Sequence, residues 1–255
     1  MWRSVLEGLA ALPSISQGLL LAWLITMVSV PILQWLWGER ARTYGLSLSV
    51  VLQAATVIGI LVTTWGWRTT ARVSAIIILL AWLAEFIGSH TGYPFGRYRY
   101  TSRLQPQLGH VPAAVPLAWL MMLPPAWAVS IAITGHSWGP TTVVVGALAF
   151  TAWDLFLDPQ MVKWQLWIWE SQTRLGHYFG IPWTNYVGWL LVSALVSAIA
   201  LPRAAAWDSA QPALFTLYIL TWVLQAIGQF VFWQLPGSAL AGTAGMGTLI
   251  LWALK

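Results

Sequence analysis

Apolar runs about as long as a bilayer is thick recur from one end of this chain to the other, and no other feature limits its fold as tightly. Residues 17–37, 46–65, 71–89, 113–134, 141–158, 183–201, 211–233 and 239–254 are such runs, and ~20 apolar residues make a spanning helix. Hydrocarbon offers the backbone no hydrogen-bond partner, so these runs must fold as helices that satisfy their own N–H and C=O groups. Barrel strands would instead alternate over ~10-residue segments. Charged residues are only 7% of the 255, against about 25% in soluble domains. The expectation is an all-α polytopic membrane bundle of about eight transmembrane helices. The number drops to seven if the last run, short and glycine-rich (GTAGMGTLILWALK), does not span. No linker of soluble composition divides the chain, so residues 1–255 are read as one integral-membrane domain.

The net charge of +5 comes from basic residues scattered through short loops, which suits lipid headgroups and excludes a nucleic-acid patch. Cysteine is absent, which removes disulfides, thiolate nucleophiles and Cys-based metal sites. The first run is long enough to span and no A-x-A site follows it, so it is read as a helix and not a cleavable signal.

Two connections are long, 90–112 and 159–182, and both follow odd-numbered runs, which puts them on one side of the membrane. That side carries Arg40, Arg42, Arg97, Arg99, Arg103, Lys163 and Arg174, and this excess inclines it toward the cytoplasm. The loops also share a vocabulary, HTGYPFGRY in one and GHYFGIPWTNY in the other. A remnant of duplication and a chance of composition both account for that.

Seven acidic residues are present. Glu7, Glu39, Glu170 and Asp208 fall in loops or at termini and read as solvated charge. Glu85, Asp154 and Asp158 do not. Glu85 and Asp154 each sit about one turn before the end of helices that run in the same direction, so they share a depth. Asp158 follows Asp154 by one turn on the same face, and Pro159 is expected to stop that helix. A carboxylate in hydrocarbon costs at least ~2.5–3.5 kcal/mol, so such groups are functional candidates. The bland alternative is an ion pair to Arg97, Arg99 or Arg103, or hydrogen bonds near Ser89 and Thr91. For Asp158, capping or loop anchoring serves as well as chemistry. Withdrawal from water favours the neutral acid, which can donate a proton.

His90, His110 and His177 lie on the same side as the acids, while His136 reads as an interfacial residue. No E-x-x-H, H-x-x-x-H or P-loop spacing occurs, so no metal or cofactor is expected. Tryptophans 153, 164, 167, 169, 183 and 189 crowd the acid-bearing region. Their faces suit a flat apolar ligand and a cation, although a membrane belt explains any one of them. A neutral acid beside aromatic surface is suited to protonating an alkene, and a trisubstituted isoprenoid double bond would give a tertiary cation that water can capture.

The ordered strings AEFIGSHTGYPFGRYRY, LGHVPAAVPLAW, AWDLFLDPQM, WIWE and HYFGIPWTNYVGW, over about residues 80–190, resemble the family of membrane carotenoid hydratases. The resemblance implies a catalytic core within 71–190 and a hydro-lyase acting without a cofactor. Water would add across the terminal C1–C2 bond of an acyclic ψ-end group, of γ-carotene, lycopene or bisanhydrobacterioruberin type. On this reading Glu85 or Asp154 protonates C2, and the other holds or deprotonates the water. Asp158, His90 and Asn185 organise the acids, while Tyr93, Trp153, Tyr178 and Tyr186 line the polyene end. The partners implied are carotenoid in the bilayer, membrane lipids and other carotenoid-pathway enzymes, and the low acid content points to a bacterial cytoplasmic membrane. Two rivals stand beside it. Asp154-x-x-x-Asp158 resembles half of the aspartate pair of an intramembrane prenyltransferase, and a carotenoid-binding or transport protein would use Glu85 and Asp154 as proton relays.

Overall fold

The computed structural model describes residues 6, 8–10, 12, 14–170, 176–203, 207 and 210–255. Glu7, Arg174 and Asp208 lie outside them. The helices are α1 (Ser14–Thr91), α2 (Ala114–Thr134), α3 (Pro140–Lys163), α4 (Trp183–Ala200), α5 (Ala210–Ile227, continued by a π turn, Gly228–Phe232) and α6 (Pro236–Ala253). Five of these helical stretches are long and apolar enough to cross a membrane, α6 not being among them. The chain is thus an all-α membrane bundle.

α1 is not one straight rod. Its backbone leaves helical geometry at Gly38 (φ 78°, ψ −165°) and Gly66 (φ 75°, ψ 161°), conformations that only glycine adopts without a steric cost. Residues 14–37, 39–65 and 67–91 therefore form successive rods, broken where the sequence expected its first two loops.

α2 is the centre of the bundle. It packs on α1, α3 and α5, and residues 119–130 are buried without interruption, as befits a helix that is apolar all round. It stays helical through Pro124 and Pro125. α3 likewise runs on through Pro159 to Lys163, which corrects the expectation that this proline ends it. Proline removes the N–H that would bond the carbonyl of Leu155. That carbonyl instead accepts from Ser238 Oγ at 2.9 Å and Tyr178 Oη at 3.3 Å, so the helix can continue.

The two long loops contain short strands, β1 (Tyr98–Tyr100), β2 (Gln107–Leu108), β3 (Val111–Pro112), β4 (Trp167–Trp169), β5 (His177–Tyr178) and β6 (Ile181–Pro182). β1 pairs antiparallel with β4, with Arg99 opposite Ile168, so the two loops meet on the same side of the bundle. Each loop then closes with a two-stranded hairpin, β2–β3 or β5–β6, leading to the next helix. Helix, strand, hairpin and helix thus occur twice in the same order. The likeness of the two loops is therefore architectural as well as compositional.

Phe95 fixes the first loop. It is buried between two helices where glycine leaves room: a Cβ at Gly88 would lie 2.6 Å from its ring and one at Gly188 would lie 2.7 Å from it. Thr184 Oγ1 also donates to the Phe95 carbonyl at 3.1 Å. The strand beginning three residues later is held over the bundle by that anchor.

Candidate active site

Glu85 lies on the third rod of α1 and is 3% exposed, while Asp154 and Asp158 on α3 are 0% and 2% exposed. The ion-pair alternative fails for two of its three arginines. Arg99 pairs with Glu170 at 2.9 Å and Arg103 with Glu39 at 2.7 Å, all well exposed. Glu85 is held by phenols instead. Tyr98 Oη donates to its Oε2 at 2.5 Å and Tyr100 Oη donates to the same oxygen at 2.7 Å. Two residues apart on β1, these tyrosines reach one carboxyl because the strand crosses the end of the rod.

The aspartates form a second cluster. Asn185 Nδ2 donates to Asp154 Oδ2 at 3.0 Å and to Asp158 Oδ2 at 2.5 Å. Trp167 Nε1 donates to Asp158 Oδ1 at 3.0 Å. Asp154 Oδ1 and Tyr186 Oη are buried without a hydrogen-bond partner among the described residues. The repeated architecture carries through to these groups: Tyr98 of β1 bonds Glu85 on the helix before it, and Trp167 of β4 bonds Asp158 on the helix before it. Each acid-bearing helix is therefore roofed by the strand that follows it.

A cavity of about 290 Å³ joins the two clusters. Glu85, Tyr98 and Tyr100 line it, as do Asp158, Asn185 and Trp167, with Trp119, Trp153, Trp169 and Trp189 as aromatic walls. Trp119 and Trp189 stack at 5.1 Å between ring centroids. A site of this kind offers carboxyl groups at two points of an aromatic chamber, the combination needed to protonate an apolar alkene and stabilise the resulting cation.

Of the residues singled out in the sequence, Glu85, Asp158, Asn185 and Trp153 line the cavity. Asp154 does not, and reaches it only through Asn185 and Asp158. His90 is exposed, donating from Nδ1 to the Phe86 carbonyl at 2.7 Å, because five positions beyond Glu85 lie roughly 140° further round the helix. Tyr93 is 74% exposed, on the turn before the Phe95 anchor. Tyr178 and Tyr186 contact each other but do not line the cavity, since Tyr186 is turned off the α4 face that presents Asn185. His90, Tyr93, Tyr178 and Tyr186 thus stand away from the cavity lining. Tyr98, Tyr100 and Trp119 are the residues missed, and the i, i+2 spacing of Tyr98 and Tyr100 was the available signal: alternate strand residues share a side.

A family model described as carotenoid biosynthesis protein matches residues 45–251. Bisanhydrobacterioruberin hydratase of Haloarcula japonica is 33% identical over 118 residues, a stretch covering 45% of this chain and 39% of that protein. No solved structure matches.

Proposed function

We propose that this chain, which belongs to the carotenoid biosynthesis protein family, is a hydratase that adds water to the terminal C1–C2 double bond of a ψ-ended carotenoid. The observation that carries the reading is the cavity in which Glu85 and Asp158 both face an aromatic chamber, and the relative named as a hydratase supports it.

Asp154 and Asp158 converge on one amide, that of Asn185. Two carboxylates cannot both hold their charge there without a cation, so the pair keeps one proton. Asp158, the member lining the cavity, passes this proton to C2, and C1 becomes a tertiary cation facing the tryptophan walls. A water oxygen bonds to C1, and the proton it sheds goes to Glu85, whose Oε2 is already fixed by Tyr98 and Tyr100. The proton gained by Glu85 equals the one lost by the aspartates, and its return through solvent resets the site. Asp154 acts as a positioning residue, setting Asn185 and sharing the proton. In this reading the three rods of α1 and helices α2 to α5 make seven spans of a cytoplasmic membrane, and α6, less apolar than these, packs against α3.

Expression in a lycopene- or γ-carotene-producing bacterium grown in H₂¹⁸O tests the assignment. A tertiary 1-hydroxy carotenoid carrying label from water is the expected product. Unchanged pigment, or a hydroxyl labelled from O₂, would overturn it.

A further inference from the structure

We infer that the cavity is filled from the lipid side, through a mouth between residues 27–31 of the first rod and the turn from Ile227 to Phe232. The occupant is one apolar end of a long polyene whose remainder stays in the bilayer. This rests on the hydratase reading for the identity of the ligand, and on the following geometry for the route.

The surface of the cavity includes residues that are also exposed on the outside of the bundle: Val28 at 60%, Phe232 at 52% and Ile227 at 48% exposure. Side chains that border both the interior space and the outside mark where the two connect. This opening lies between two membrane-spanning elements and is bordered by apolar groups, so what passes through it comes from hydrocarbon and not from water. The volume of about 290 Å³ is at the foot of the ~300–1,000 Å³ range of pockets that enclose a whole small ligand. A long polyene therefore cannot be engulfed, and only its end can reach the carboxyl groups.

One side of the mouth is built to hold its shape. Gly228–Phe232 is a π turn, a local widening of a helix that recurs at functional sites. Its inward residue, Gln229, donates to the Phe156 carbonyl at 2.6 Å and to Gln160 Oε1 at 3.1 Å, and accepts from Ser238 Oγ at 2.5 Å. Lys163 Nζ donates to the carbonyl of Trp233 just beyond the turn. The bond from Ser238 ties the turn to α6, and the others tie it to α3, the helix that carries Asp158, which fixes the distance from mouth to acid. The opposite side is the rod containing Pro31, which leaves the Met27 carbonyl without its helical N–H.

The test places bulk at the mouth and, for comparison, at lipid-facing positions elsewhere. Val28→Trp and Ile227→Trp are compared with Leu191→Trp and Leu251→Trp, each reconstituted in liposomes containing γ-carotene. Two quantities are read, carotenoid bound per protein over time and hydrated product. The mouth variants should take up carotenoid about tenfold more slowly, the controls at the wild-type rate, and Val28→Ala no more slowly than wild type. Equal uptake by Val28→Trp, Ile227→Trp and Leu191→Trp would overturn the mouth while leaving the chemistry intact. Uptake slowed only in the mouth variants, with the pigment released unhydrated by the wild type, would support the mouth and sink the hydratase reading. A wild-type protein that binds no carotenoid would overturn both.

Discussion

Tyr98 Oη donates a 2.5 Å hydrogen bond to Glu85 Oε2, joining a strand of the first long loop to a carboxyl on a membrane-spanning rod. Tyr100 donates to the same oxygen, so either phenol alone still leaves Glu85 one donor. A hydrogen bond to a charged acceptor contributes about 1.5–3 kcal/mol. Tyr98→Phe and Tyr100→Phe should each lower hydration roughly tenfold. The double variant should fall below the product of the two, because residues in one network do not act independently. Initial rates in proteoliposomes give the answer, and strictly multiplicative losses would contradict a shared oxygen.

The three acids should not be equivalent. Glu85→Gln and Asp158→Asn remove the groups lining the cavity, and a loss of roughly 10²–10⁴ is expected for general acid–base residues. Asp154→Asn should cost less, since Asp154 reaches the cavity only through Asn185 and Asp158. Hydroxylated pigment per folded protein measures all three. An Asp154→Asn variant worse than Asp158→Asn would make Asp154 the proton donor.

Gly188→Ala should loosen the roof of the site without touching it. The added Cβ would stand 2.7 Å from the Phe95 ring and 3.2 Å from the Pro94 carbonyl carbon, and that backbone atom cannot rotate away. Overpacking of this kind costs about 1–3 kcal/mol. The melting temperature in detergent should drop, and hydration should fall with it as Tyr98 loses its placement. A variant of wild-type stability would mean that Phe95 does not anchor the loop.

Alkaline pH should act through the same loop. Burial first, and the neighbouring Glu85 carboxyl second, hold the Tyr98 and Tyr100 phenols well above the ordinary tyrosine value of 10.0. A group whose folded value is raised contributes stability that is whole below the unfolded value and is lost as pH climbs toward the folded one. Wild-type melting temperature should therefore fall more steeply above about pH 10 than that of the Tyr98→Phe/Tyr100→Phe variant. Parallel curves for the two proteins would count against buried phenols.

The sequence by itself determined the membrane bundle, because lipid leaves an apolar run of ~20 residues no choice but a helix. It also singled out Glu85, Asp154 and Asp158, since in a chain this poor in charge each buried acid is conspicuous. That the two long loops belong together followed from counting helices. Their pairing strand to strand, Arg99 opposite Ile168, did not, for register depends on partners far apart in the chain. The tertiary structure alone decided which groups face the cavity. Helical rotation turns His90 outward, Asp154 stands one turn of α3 away from the cavity that Asp158 lines, and Phe95, wedged between Gly88 and Gly188, brings Tyr98 and Tyr100 onto Glu85. Spacing along a chain records which residues can share a side of one element; the space between elements, where this site lies, exists only once they have packed.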